Sequence, residues 1–266
     1  VVEPQRIELT EAESSQASRT YWNSAAAEYL EDHGDFLGDD RFVWGPEGVD
    51  EESAQLLGPV RGKRVLEVGC GAAQCARWLV GQGANVVAFD ISLEQLRIAQ
   101  QLDARTGTAV RTVAADATAL PYANATFDIV CSAFGALPFV ADAGTALREI
   151  ARTLKPGGLL VFSVTHPFRW TMPDDPSEGG LRIDKPYFDR TPYVEVDDAG
   201  TPVYVEHHRT IGDWIRALTE SGFAIDDLLE PEWPAGHTLV WGGWGPHRGR
   251  YVPGTAIWSA RKEDCA

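Results

Sequence analysis

The apolar run Val65-Leu66-Glu67-Val68 ends in Gly69-Cys70-Gly71, and nineteen residues past Gly71 a second apolar run, Asn85-Val86-Val87-Ala88-Phe89, ends on Asp90. This spacing predicts strand, glycine turn, helix and strand: a βαβ unit whose two strand ends open onto one crevice. Glycine lets backbone approach a ligand where a Cβ would collide. An acidic side chain at the end of the second strand can accept both hydroxyls of an adenosine ribose. Together the two features point to an adenosine-containing cofactor.

The residues around the turn narrow the choice. A dinucleotide fingerprint needs glycine at its first, third and sixth positions, and the sixth here is Gln74. A phosphate loop closing in Gly-Lys-Ser/Thr is absent, since Lys63 precedes the strand. What stays is Glu67-Val68-Gly69-Cys70-Gly71 with Asp90 in register. This resembles motif I of the class I S-adenosylmethionine-dependent methyltransferases, especially the small-molecule type. Asp116-Ala117 after Val110–Ala115, Thr126-Phe127-Asp128-Ile129-Val130, and Lys155-Pro156-Gly157-Gly158 before Leu159–Val164 follow the family's order. The match runs from about Arg64 to Val164 and resumes at His208-Arg209-Thr210 and Ser221-Gly222-Phe223. The chain departs from the family at Ala73, where many members carry a third glycine. A Cβ there is tolerable if the residue already sits in the first helical turn.

The resemblance implies methyl transfer from S-adenosyl-L-methionine to a small molecule. It implies a cofactor site drawn from Glu67, Gly69, Cys70, Gly71, Asp90, Ile91, Asp116, Ala117 and Ala133, with Asp116 receiving the adenine amino group. N-terminal helices in this family fold over the cofactor, which adds Tyr21 and Trp22. Two alternatives stay open: a nicotinamide-dependent oxidoreductase on a related sheet, and a cofactor-binding regulatory module without turnover.

The fold expected is α/β: a Rossmann-like seven-stranded sheet, mostly parallel with one antiparallel strand, and helices on both faces. Residues 1–60 are expected to form a helical lid, with one aromatic-rich helix over Ser18–Leu30 and a second over about Asp50–Leu57. Residues 61–165 form the cofactor-binding core. In it the helix before Pro156 is expected over Ala141–Thr153 and the next strand over Leu159–Thr165. Residues 208–266 complete the sheet. There Thr210 caps a helix whose apolar face is Ile211, Trp214, Ile215 and Leu218, and Gly222 stops it. Strands follow at Phe223–Leu229 and Thr255–Arg261.

Between His166 and His207 prolines and glycines break the pattern, while Thr191–Val196 and Thr201–Glu206 alternate like a hairpin around Asp198-Ala199-Gly200. A β-rich insertion of residues 166–207 after the fifth strand emerges on the ligand side of the sheet, and so is expected to cap the substrate rather than stabilise the core. The segment Trp233 to His247 is rich in tryptophan and glycine. It either lines the substrate pocket or covers the sheet edge, and the sequence favours the second reading.

A methyl donor of this kind is already activated, so the protein contributes mainly position and exclusion of water. A base is needed only for a protonated acceptor. His166, just past the fifth strand, is the first candidate and His208 the second. No histidine or carboxylate spacing suggests a metal site. The formal charge of −16 over 266 residues argues against nucleic acid and anionic membrane surfaces as partners. Four cysteines (70, 75, 131 and 265) follow no disulfide or metal pattern, and no apolar run approaches about twenty residues, so the expected compartment is the cytoplasm. Oligomeric state is not encoded in anything legible.

Overall fold

A computed structural model of the protein describes residues 5–263; Cys265 lies outside them. Along the chain, strand β1 (Gln5–Arg6) precedes helices α1 (Glu11–Ser24), α2 (Ala26–Leu37) and α3 (Glu51–Ala54). The core follows as β2 (Arg64–Val68), α4 (Gln74–Gly81), β3 (Asn85–Asp90), α5 (Leu93–Thr106), β4 (Arg111–Ala114), β5 (Phe127–Ala133), α6 (Ala143–Thr153) and β6 (Leu154–Thr165). Two 3-10 turns, Pro167–Thr171 and Glu178–Gly180, lead to β7 (Tyr193–Val196) and β8 (Pro202–Glu206). The chain closes with α7 (Ile211–Glu220), β9 (Phe223–Leu229), α8 (Pro246–Gly249) and β10 (Thr255–Lys262).

The seven-stranded sheet has the order β4-β3-β2-β5-β6-β10-β9, and β10 runs antiparallel to both its neighbours, as the sequence predicts. Strands β2 to β6 pair in parallel. Alternation along β2 splits the core into two layers. Leu66 and Val68 join the cluster holding Leu147 and Ile150 of α6 and Trp214 and Leu218 of α7. Val65 joins the opposite one, with Leu79 of α4 and Leu96 of α5. The chain steps outward from β2 to β4 and then returns to the other side of β2. The order therefore reverses between β2 and β5, and the crevice outside their carboxyl ends is where such sheets bind ligands. No helix among the described residues is long and apolar enough to cross a membrane.

Several boundaries differ from expectation, each for a local reason. The N-terminal helix extends back to a Thr10–Glu13 capping box and breaks at Ala25. At that break the Ser24 hydroxyl donates to the Tyr21 carbonyl, while Asn23 accepts from Ser92 Oγ and the Glu94 amide of α5. Helix α3 is one turn, because Gln55 turns left-handed and the buried Glu51 carboxylate takes the Leu56 and Leu57 amides. Helix α6 starts at Ala143 because Asp142 caps it through the Thr145 amide. Leu154 is already extended, so β6 begins directly after α6. On α7 the capping box and the burial of Trp214 and Leu218 agree with the sequence, but Ile215 is exposed.

The N-terminal segment and the 166–207 insertion are joined. Strand β1 pairs with β7 (Gln5 opposite Val194), giving a second sheet of order β1-β7-β8. Ala17 of α1 packs between Val194 and Val205. His207 Nε2 lies 2.7 Å from Ser14 Oγ, and Arg6 Nη1 donates to the Thr191 carbonyl at 2.7 Å. An insertion that contributes only to a ligand would make no such contacts; this one stabilises the helices that cover the sheet.

Candidate functional site

Three neighbouring strands each have a carboxylate within two residues of their carboxyl ends. Glu67 of β2 is 4% exposed. Its Oε2 has no hydrogen-bond partner among the described residues. Burial pushes this carboxyl up to about 8 against the opposing pull of the Ala76 amide and Arg77. Asp90, at the end of β3, accepts the Gly71 amide on Oδ2 and the Ser92 amide on Oδ1, both at 2.8 Å. Burial raises its pKa, and those amides offset part of the effect. Asp116, past β4, accepts the Thr118 amide (2.9 Å) and hydroxyl (2.8 Å) on Oδ1, and the Ser15 hydroxyl of α1 on Oδ2 (2.8 Å). Burial would raise this group too, but the bonds from Thr118 and Ser15 outweigh it and hold the carboxyl low.

The loop joining β2 to α4 has positive φ at alternate residues: Gly69 (67°), Gly71 (51°) and Ala73 (59°). The glycines serve different ends. A Cβ on Gly69 would stand 2.2 Å from the Ala136 amide nitrogen, and one on Gly135 2.2 Å from the Val68 carbonyl oxygen. The loops after β2 and β5 thus touch backbone to backbone at the switch point, and Gly69 is spent on fold. A Cβ on Gly71 would meet nothing nearer than Gln95 Oε1 at 3.7 Å, so open space lies above it. Ala73 is the N-cap of α4 in left-handed conformation, so the condition that would make its Cβ harmless, a place in the first helical turn, is not met. That conformation costs a non-glycine residue roughly 1–2 kcal/mol, partly offset by about 0.8 kcal/mol for its buried methyl.

Above these strand ends lies a cavity of about 980 Å³, at the upper end of the roughly 300–1,000 Å³ usual for small-molecule sites. All eleven residues nominated as cofactor-binding line it, including Ile91, Ala117, Ala133, Tyr21, Trp22 and Cys70. The Cys70 thiol is buried, which raises its pKa well above the ordinary value and leaves it a filler. Opposite the sheet, Trp22 meets Tyr29 and Phe139 edge-on at 5.4 and 5.3 Å, and Tyr21 meets Tyr204 at 4.7 Å.

Neither nominated histidine reaches the cavity. His166 is 6% exposed; its Nδ1 accepts the Phe168 amide (3.1 Å), so Nε2 carries the proton and donates to Glu230 Oε1 (2.7 Å). Both ring nitrogens are used, and burial lowers the pKa despite Glu230. His208 is buried with Nε2 donating to the Tyr187 carbonyl at 2.7 Å. The histidine that does line the cavity is His33 of α2, stacked on Trp241 at 3.9 Å and 6°. Trp241 and Trp244 line it as well, which reverses the preference for a purely edge-covering segment.

Sequence reasoning also missed a polar wall. Thr165 Oγ1 donates to Glu206 Oε1 and the Tyr204 hydroxyl to Glu206 Oε2, both at 2.9 Å; the Tyr193 hydroxyl donates to Glu195 Oε1 at 3.0 Å. Burial raises the Glu206 carboxyl, opposed by Arg169 and the two hydroxyls. The only signal available was alternation along the hairpin, which put Tyr204 and Glu206 on one face.

Comparison with known proteins agrees with this geometry. Residues 66–162 match the family described as Methyltransferase domain. The malonyl-(acyl-carrier protein) O-methyltransferase of Pseudescherichia vulneris is 40% identical over 119 residues, covering 43% of this chain and 45% of that protein. The chain spans about half the length of the curated relatives it matches. A solved S-adenosylmethionine-dependent methyltransferase from Mesorhizobium loti is 30% identical, covering 82% of this chain and 100% of that one, with a TM-score of 0.64. The 1,6-didemethyltoxoflavin-N1-methyltransferase of Burkholderia thailandensis, solved with bound 1,6-didemethyltoxoflavin and S-adenosylhomocysteine, shares the fold at 21% identity, 99% and 95% coverage and a TM-score of 0.63.

Proposed function

Because the chain belongs to the S-adenosylmethionine-dependent methyltransferases, we propose that it transfers a methyl group from S-adenosyl-L-methionine to a small molecule lodged beneath the β7–β8 hairpin. The observation that carries this reading is the row of Glu67, Asp90 and Asp116 on three adjacent strand ends, facing one cavity. The orphaned Glu67 Oε2 suits the ammonium of the cofactor, and the space above Gly71 admits its backbone-hugging part. Asp90 suits the ribose hydroxyls and Asp116 the adenine amino group, with Tyr21 and Trp22 excluding water from above. When bound, the cofactor supplies a methyl group activated by its sulfonium.

On the acceptor side, the hydroxyl hydrogens of Thr165, Tyr193 and Tyr204 are spent on Glu206 and Glu195. What remains toward the cavity from these side chains is lone pairs, so the acceptor brings the hydrogen-bond donor: a hydroxyl or an amine. Glu206, rather than His166 or His208, is the group placed to receive its proton.

The test exploits Glu67. A carboxyl near 8 is mostly protonated at pH 7, and an incoming ammonium lowers its pKa. Calorimetric titration with S-adenosylhomocysteine near pH 7, in buffers of different ionisation enthalpy, should show proton release that Glu67→Gln abolishes. Binding with identical heats in both buffers would remove Glu67 from the site, and no binding at all would overturn the function.

A further inference from the structure

The loop that presents Gly71 contains a residue in the wrong chemistry for its conformation, and one buried arginine is arranged around it. Ala73 has φ 59° and ψ 33°, a region that glycine enters freely and alanine does not. Its own N–H donates to the Cys70 carbonyl at 2.8 Å, closing the turn that carries Gly71. No side chain caps α4 from this position. The carbonyls of Ala72 and Ala73 instead converge on Arg77, one turn into α4. Arg77 Nη1 donates to both at 2.8 Å, and Nη2 donates to Ala72 as well.

Arg77 is 1% exposed, and burying a guanidinium is costly unless its surroundings compensate. Burial accordingly lowers its pKa, against Asp103 and Glu67. The Asp103 carboxylate of α5 lies 3.6 Å from Nε, near enough to offset the charge but too far to bond it. Truncating Arg77 would leave the inward carbonyl of the buried Ala72 without this donor and remove the charge-assisted bonds that hold the turn.

We propose that Arg77 is the positioning residue of the cofactor loop, holding Ala72–Ala73 in the left-handed turn that a glycine at 73 would adopt unaided. The inference rests on the methyltransferase reading of the cavity. It assigns Arg77 no contact with cofactor or acceptor: Arg77 acts through the loop, which sets the height of Gly71 and, through the Gly71 amide, the orientation of Asp90.

The test is a cycle of Arg77→Met, Ala73→Gly and the double variant, read by S-adenosylhomocysteine affinity with melting temperature in parallel. Arg77→Met should weaken binding about 10- to 100-fold, and Ala73→Gly alone should change it by less than about threefold, because the φ is already in place. The double variant should recover about tenfold over Arg77→Met, roughly 1.4 kcal/mol. General damage from an emptied arginine site would lower affinity and melting temperature together, without rescue by glycine. If Arg77→Met does not fold, Arg77→Lys, which keeps the charge but loses the fork, should lose about three- to tenfold and be rescued in the same way. Unchanged affinity in the arginine variant, or a double variant no better than the single, overturns the proposal. Failure of the unsubstituted protein to bind S-adenosylhomocysteine would instead sink the methyltransferase reading, and this inference with it.

Discussion

On one side of the cavity Glu67, Asp90 and Asp116 come from three consecutive parallel strands, each within a few residues of a strand end. On the other side Tyr21, His33, Tyr204 and Trp241 come from segments far apart in the chain and meet only through tertiary contacts. The first wall is held by the sheet's own register: Glu67 lies beside Ala88, and Asp90 beside Ala114. The second depends on a small separate sheet and on aromatic edges. Backbone register fixes a ligand's common part, while side chains on loosely tied elements can vary to suit the acceptor.

The largest expected effect tests whether the second wall carries chemistry. Glu206→Gln should lower kcat by about 10²- to 10⁴-fold with cofactor affinity unchanged. His166→Ala, outside the cavity, should leave kcat nearly intact. A normal rate in the glutamine variant would reduce the second wall to packing.

The next effect separates two glycines on the first wall. Gly69→Ala combines a left-handed backbone with a Cβ 2.2 Å from the Ala136 nitrogen, and should cost about 2–5 kcal/mol of stability by denaturant titration. Gly71→Ala lacks the collision and should cost about 1–2 kcal/mol, with its damage concentrated in cofactor binding. Equal stability losses would mean that the two residues do not divide the work this way.

Asp90→Ala should weaken S-adenosylhomocysteine binding by about 2–4 kcal/mol, or roughly 30- to 1000-fold. Asp90→Asn, which still accepts one backbone amide, should lose less. A folded alanine variant with an unchanged Kd would detach the first wall from the cofactor.

The smallest effect concerns the seam between helix α1 and the 166–207 insertion, where His207 meets Ser14. Burial and Arg209 lower His207 from 6.5 to about 3. The folded state therefore keeps it neutral while the unfolded chain takes up a proton below about 6.5. Its contribution is intact above that pH and is lost progressively as pH falls toward 3. The melting temperature of the unsubstituted protein should fall more steeply between pH 6.5 and 4 than that of His207→Gln. Parallel curves would show that His207 does not titrate at the seam.

The contrast between the walls also explains what could be read in advance. The carboxylate edge of the cavity was legible because strand, glycine turn and carboxylate are neighbours in sequence, so identity and spacing settle which end of the sheet they occupy. Position at a strand end does not give side-chain direction: the backbone of His166 pairs with Gly254 and its ring turns to Glu230, away from the cavity. The left-handed φ of Ala73 has no sequence signal, since it runs against alanine's own preference and the carbonyls of Ala72 and Ala73 turn to an arginine four residues on. The pairing of β1 with β7 had no signal at all, since a two-residue strand carries no periodicity.

That pairing has a consequence for how the molecule comes into being. Arg6 bonds to Thr191 across a separation of 185 residues. At roughly 5–20 residues per second of synthesis, the first helices wait about 10–40 seconds for the strand they will lie against. Helix α1 suits such a wait, since its sequence, EAESSQASRTYWNS, is mostly polar and carries its own capping box. Contacts this distant in sequence form slowly, after local ones. The sheet from β2 to β6 can assemble first, and the roof of the cavity closes only once the hairpin has emerged. Nascent protein should therefore acquire the core before it acquires the ability to retain a ligand.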